Sequence, residues 1–242
     1  MDATRIVDGK TVILKRLLEK EGPYELQINR LLSSDPLVSN SRNHCARLLD
    51  VIELPNDPPI MVHSHLRPFF DPPFNTYGEF VIFFWHICEV CVTHSLYRVR
   101  CSIHQGVQFM HEHNVAHRYL TLCVTESKLL TLFVRDCTSG NIMLDPSRMY
   151  PESFHPLDIE RRKDFRGKAK KYTRTRRPPR YFLIDFGLSR QYDPANGPPL
   201  DQPLRGGDKS APEHQDRTTP CNPFPTDVYS LGNLVREKFI QV

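Results

Sequence analysis

The residues best equipped for chemistry lie between Arg180 and Arg190, in RYFLIDFGLSR. Four apolar residues, Tyr181 to Ile184, run straight into Asp185, which is followed by Phe186 and Gly187. An apolar run bounded by charge predicts a short strand covered on both faces. A carboxylate at the end of such a strand is held rigidly and can face a cleft. It is the kind of hard oxygen ligand that Mg²⁺ takes. Gly187 supplies the freedom to turn directly afterwards. A second set, His86, Cys88, Cys91 and His94, has spacing that suits zinc. A buried helical histidine and cysteine is the commoner arrangement, and it is the expectation here. The third set is basic. Residues 161–180 hold eleven Lys and Arg against one acid, Asp164, with Tyr172 interleaved. Such a run can bind nucleic acid or serve as a nuclear-import patch, but a solvated loop is the expectation.

That block carries +10 in a chain of net charge +4, so the remainder is −6 and the basic character is local. The length of 242 residues allows one large domain or two small lobes. A hydrophobic fraction of 39% and a charged fraction of 25% suit a soluble chain. The 21 prolines cluster in Pro55–Pro73 and Pro178–Pro225, which predicts loops there. Seven scattered cysteines and no signal peptide at MDATRIVDGK predict a reducing, intracellular compartment, cytoplasmic or nuclear. The most apolar run, Phe80 to Cys88, is too short to cross a bilayer, so no membrane partner is expected.

These residues need elements to position them. Thr4–Val7 and Thr11–Lys15 read as strands joined by an Asp8-Gly9 turn, a strong hairpin signal. A helix follows from about Tyr24 to Leu32, opened by Pro23 and closed by Ser33-Ser34-Asp35-Pro36. RLLDVIEL (47–54) and PIMVHS (59–64) read as two more strands, and 68–73 as a connector. Phe80, Phe83, Phe84, Ile87 and Cys88 form one helical stripe. The pattern then fails over 90–105 and resumes at Gly106 with Val107, Phe109 and Met110. The 16 intervening residues turn a helix face by roughly 160°, so the second stripe points away from the first. Removing them brings both back into line, as if one helix had been interrupted.

At VAHR (115–118), DCTSGNIMLD (136–145), IDFG (184–187) and SAPE (210–213) the chain resembles the eukaryotic protein kinases, and in particular the kinase-like group expanded in fungi. The resemblance runs from about Ala3 to Gln241. It implies an α+β, two-lobed kinase-like fold truncated at both ends. A small β-rich N-lobe would span 1–65 and a mainly helical C-lobe 66–242, with insertions at 90–105 and 119–135 and a basic loop at 146–180. It implies that Lys15 holds ATP phosphates, that Glu25 is its ion-pair partner, and that Asp136 is the catalytic base. Asn141 would act beside it and, with Asp185, would ligate Mg²⁺. The implied partners are ATP and a protein substrate, with serine or threonine hydroxyls ahead of tyrosine. Asp227 would brace the catalytic loop, with Thr226 as N-cap of the helix it opens.

The departures from the family pattern are specific. No glycine-rich lid precedes the first hairpin, Thr138 stands where lysine is usual, and Glu213 has no arginine partner in the sequence. Between Asp185 and Glu213 the only hydroxyls are Ser189, Tyr192 and Ser210. Residues 119–135 split what would read HRDCTSGN. The lengths of both insertions, and end residues whose codons can carry splice-site bases, point to retained introns or mispredicted exons, with a genuine family-specific insertion loop as the alternative. A misplacement of about 1 Å can cost on the order of a hundredfold in rate, so the chain as written is expected to lack measurable phosphotransfer. The alternatives are a catalytically inactive, ATP-binding scaffold and a nucleic-acid-binding module built on 161–180.

Overall fold

The computed structural model describes residues 1–18, 22–87, 102–118, 120, 140–204, 210–216 and 218–239. Within them the chain is a mixed α+β protein with antiparallel sheets and four α-helices. No helix among the described residues is long and apolar enough to cross a membrane.

The first sheet has the order β1-β2-β4-β3, from β1 (Asp2–Thr4), β2 (Thr11–Arg16), β3 (Leu48–Leu54) and β4 (Asp57–Ser64), all antiparallel. The Asp8-Gly9 signal locates the first turn, where Gly9 has φ 65°. The turn is wider than the sequence predicts. Arg5 N donates to Lys10 O, which ends the first strand at Thr4 and leaves Ile6 and Val7 exposed in the loop. Helix α1 (Glu25–Ser33) buries Ile28 and Leu32, each worth about 1.5–3 kcal/mol when fully removed from water. Its end is tied down by Asn43 Nδ2, which donates to Leu32 O and Leu37 O.

A second sheet, β5-β7-β8, pairs β5 (Arg67–Pro68), β7 (Ile142–Leu144) and β8 (Tyr181–Leu183). Between β5 and β7 come α2 (Tyr77–Ile87), α3 (Ser102–Glu112) and β6 (Val115–Ala116). The helix after the suspected insertion begins at Ser102, four residues before the sequence pattern resumes. The rest of 90–105, all of 121–135 and residue 119 lie outside the described residues. Phe83 of α2 and Val107, Phe109 and Met110 of α3 share one core with Ile28, Leu183, Phe186 and Leu231. Strand β9 (Arg190–Gln191) pairs with β6, and α4 (Pro223–Phe239) follows. Helix α4 starts four residues earlier than the sequence suggests. Asn222 Oδ1 accepts from Phe224 N, so Asn222 caps it rather than Thr226, whose buried hydroxyl has no partner among the described residues.

The basic loop 146–180 is not merely solvated. It carries its own small core of Met149, Tyr150, Phe154 and Ala169, with Ile159 packed on it. Arg174, from the basic run itself, is buried and donates to Tyr181 Oη (2.8 Å), Phe69 O (2.7 Å) and Pro72 O (2.5 Å). Its guanidinium also lies over the Phe74 ring. Arg67 is buried against the Tyr150 and Phe154 rings and pairs with Asp71 at 2.7 Å. A charge run predicts hydration only where its charges have nothing to bind. Here the Arg174 guanidinium finds carbonyls and a ring, and with Arg67 of β5 it fastens the loop to the 68–73 connector.

Candidate active site

Lys15 stands near the end of β2, opposite Met61 of β4. Its ammonium lies 2.5 Å from Glu25 Oε1 and 2.7 Å from Asp185 Oδ1. Three residues spread over 170 positions of sequence thus meet at one cation. Glu25 reaches it from the first turn of α1, where a carboxylate also suits the helix N-terminus. The Glu25 side chain is only 6% exposed and that of Asp185 is 50% exposed, so one carboxylate is interior and the other faces solvent.

The electrostatics follow that difference. Burial pushes the Glu25 carboxyl up, and the hydrogen bond and charge of Lys15 offset this only in part. Burial also pushes Asp185 up, but the hydrogen bond and charge of Lys15 outweigh it and hold the acid below its usual range. Lys15 itself is raised, because its two carboxylate partners overcome its own burial.

Asp185 lies two residues past the end of β8 and has φ 61°, a left-handed conformation that a non-glycine residue holds only when its surroundings fix it. Those surroundings are two glycines. A Cβ on Gly22 would stand 3.1 Å from Gly187 Cα and 3.2 Å from Glu25 Oε2. The chain entering α1 and the turn after Asp185 therefore touch backbone to backbone. Sequence reasoning picked out Gly187 but missed Gly22, which has no motif around it.

The neighbouring segment is fixed by Asp227 of α4. Its buried carboxylate accepts from His117 N at 2.8 Å, Arg118 N at 2.6 Å and the His111 ring at 3.0 Å. The geometry shows Asp227 holding the 117–118 backbone, while residues 136–139 of the expected catalytic loop lie outside the described residues. His117 is fully buried and donates from Nε2 to Ile184 O at 3.0 Å. Its Nδ1 has no partner among the described residues, and burial drives its pKa down, so the ring is neutral. Arg118, at φ 70°, sends its guanidinium to Asp201 (3.3 Å), Leu188 O and Gln202 O. Asp201 also pairs with Arg190 at 2.9 Å and accepts from Tyr192 Oη. Of the three hydroxyls after Asp185, Ser189 is buried and donates to His117 O, and Tyr192 is engaged by Asp201. Only Ser210 is exposed.

Asn141 immediately precedes β7 and is buried, and its carbonyl accepts from Ile184 N at 3.0 Å. It thus sits one residue from Asp185 across the β7–β8 pair. Asp136 and Thr138 lie outside the described residues. So do Cys88, Cys91 and His94 of the zinc reading, while His86 falls in α2. Among the described residues no group of three or more His, Cys, Asp and Glu could hold a metal ion. No protein-family model matches the chain, and no curated protein matches it.

Proposed function

We propose that the chain is a protein kinase-like domain whose site binds Mg²⁺-ATP and transfers a phosphoryl group to a protein hydroxyl. The observation that carries this reading is the Lys15 ammonium held between Glu25 and Asp185. A cation locked by an interior acid and shared with a solvent-facing one is suited to phosphate beside a metal. The β1–β4 sheet with α1 forms the smaller lobe of the proposed architecture, and the helices with β5–β9 the larger, with the nucleotide between them.

Mg²⁺ is bound by one or two protein oxygens together with substrate phosphates and waters, so three protein carboxylates are not needed. Asp185 and Asn141 fit that donor set. The bonds that Asp185 accepts among the described residues fall on Oδ1. When bound, the metal would neutralise phosphate charge. Lys15 presents its ammonium to the phosphates, Glu25 keeps Lys15 in place, and Asp227 fixes the 117–118 backbone that leads toward the catalytic segment. Asp136 is the proposed acceptor of the substrate hydroxyl proton.

The test separates binding from transfer. Ligand at a hundred times its Kd stabilises by about 2.7 kcal/mol. For a chain of this size that is a Tm rise of roughly 5–10 °C. Mg²⁺-ATP is expected to produce it, and Lys15→Met and Asp185→Asn to abolish it. No rise in the wild type, or a rise kept by both variants, would overturn the site. Phosphotransfer is expected to be absent from the 242-residue chain, to appear when 119–135 are deleted, and to vanish again with Asp136→Asn. A nucleotide-induced rise with no transfer in either form would identify a non-catalytic scaffold instead.

A further inference from the structure

The basic module offers a second surface, independent of the phosphoryl-transfer reading. Residues 161–168 form a tight hairpin. Arg161 bridges to Lys168, Arg162 N donates to Gly167 O, and Phe165 N donates to Arg162 O. The tip is held in shape by Phe165 at φ 59° and Gly167 at φ 114°. Phe165 is 50% exposed, and its ring lies tilted against that of His155 with centroids 3.9 Å apart.

The charges around it are unevenly satisfied. Glu152, Asp158, Glu160 and Asp164 are each within 4.0 Å of Arg161, Arg162, Lys170 or Lys171. Lys163, Arg166 and Lys168 have no carboxylate partner among the described residues, and all three are exposed. Lys163 also lines a cavity of about 840 Å³ beside the hairpin, together with Lys10, Arg47 and Tyr150. Asp8, Asp145 and Glu152 share that cavity, and Lys163 Nζ donates to Gly9 O at 3.3 Å, so the excess cations are those of the hairpin itself, beside the half-exposed Phe165 ring. The hairpin is flanked by Ile159 and Ala169, which belong to the small core of Met149, Tyr150 and Phe154.

We propose that this face binds single-stranded nucleic acid, with a base stacked on Phe165 and phosphates on Lys163, Arg166 and Lys168. A duplex backbone would leave the ring unused, and an acidic peptide would need only the charges. Stacking platforms flanked by cations suit unpaired bases.

Fluorescence anisotropy of the 242-residue protein with labelled dT12 and U12, over a salt series, tests it. Binding is expected to weaken with salt. Phe165→Ala should loosen it roughly tenfold, and Phe165→Tyr should restore it. Lys163→Gln, Arg166→Gln and Lys168→Gln together should reduce the slope of log K against log salt by about two, at about 0.7 per phosphate. All these residues are exposed, so folding is retained. The proposal is overturned by absent binding, by binding indifferent to Phe165→Ala, or by polyglutamate or anionic vesicles binding as tightly as the oligonucleotides.

Discussion

Replacing Asp227 by asparagine tests how firmly the segment beside the candidate site is held. The substitution keeps shape and removes one acceptor. In the wild type Oδ1 takes the Arg118 amide at 2.6 Å, while Oδ2 takes the His117 amide at 2.8 Å and the His111 ring at 3.0 Å. Asparagine keeps a single oxygen, so at least one of the two amides must face an NH₂ group. A hydrogen bond to a charged acceptor contributes about 1.5–3 kcal/mol, and a buried donor left unpaired costs about 1–3 kcal/mol more. Single substitutions rarely exceed about 4–5 kcal/mol, so the expected loss is about 3–4 kcal/mol. For a chain of this length that lowers Tm by roughly 6–16 °C. Calorimetry gives the global figure, and amide hydrogen exchange gives the local one. The His117 or Arg118 amide should lose protection ahead of the α3 amides. A loss below about 1 kcal/mol with both amides still protected would refute the reasoning, because water or a backbone shift would then be replacing the carboxylate.

Three further outcomes follow from the packing and titration. Arg174→Met leaves Tyr181 Oη, Phe69 O and Pro72 O without their donor and should cost about 3–5 kcal/mol in urea unfolding, whereas the exposed Arg176→Gln should stay within about 0.5 kcal/mol. Gly106→Ala brings a Cβ to 2.8 Å from His44 Cβ; the overpacking, about 1–3 kcal/mol, should outweigh the gain in helix propensity of about 1 kcal/mol, so the variant melts lower and not higher. His117, His63 and His65 are all pushed below 6.5, chiefly by burial, so the unfolded chain takes up their protons first. Stability is then complete above that pH and falls below it, by up to about 1.4 kcal/mol per pH unit for His117. Asp185, held low, keeps its contribution until pH falls below its unfolded value of 3.8, and Glu25, raised, opposes the loss on acidification. Urea midpoints between pH 7.5 and 5 should therefore decline, less steeply in His117→Asn, and a flat profile would contradict this.

How much of this was legible in the sequence depended on whether the signal was local. The Asp8-Gly9 turn, the strands around it and α1 fall within a few residues of the pattern that predicts them, because turn chemistry and apolar periodicity are near-neighbour properties. The meeting of Lys15, Glu25 and Asp185 is not local, and only the kinase-like spacing connected them. Gly22 escaped notice because its constraint is a backbone 165 residues away. The basic run misled for a related reason. Counting charges from 161 to 180 hides the fact that Arg174 lies inside the protein while Lys163, Arg166 and Lys168 lie outside. Phe165 was lost in the same count, since its exposure depends on the hairpin turn and not on composition. Thr226 failed as a cap because Pro223 already has a helix-compatible φ and moves the start of α4 forward.

The unequal exposure of the two acids around Lys15 also sets an order of exchange for the proposed site. With Lys15 protonated and both carboxylates ionised, the cluster carries one negative charge in excess. Glu25 is interior, and losing the Lys15 cation would leave an uncompensated buried carboxylate, the costliest change available to the trio. Asp185 is half exposed, so water can solvate it when it lets go. Lys15 is therefore arranged to surrender Asp185 and keep Glu25. The same step that turns the ammonium toward an incoming phosphate frees the acid suited to a hard cation. In the proposed site, phosphate and metal binding would thus be coupled through one side chain.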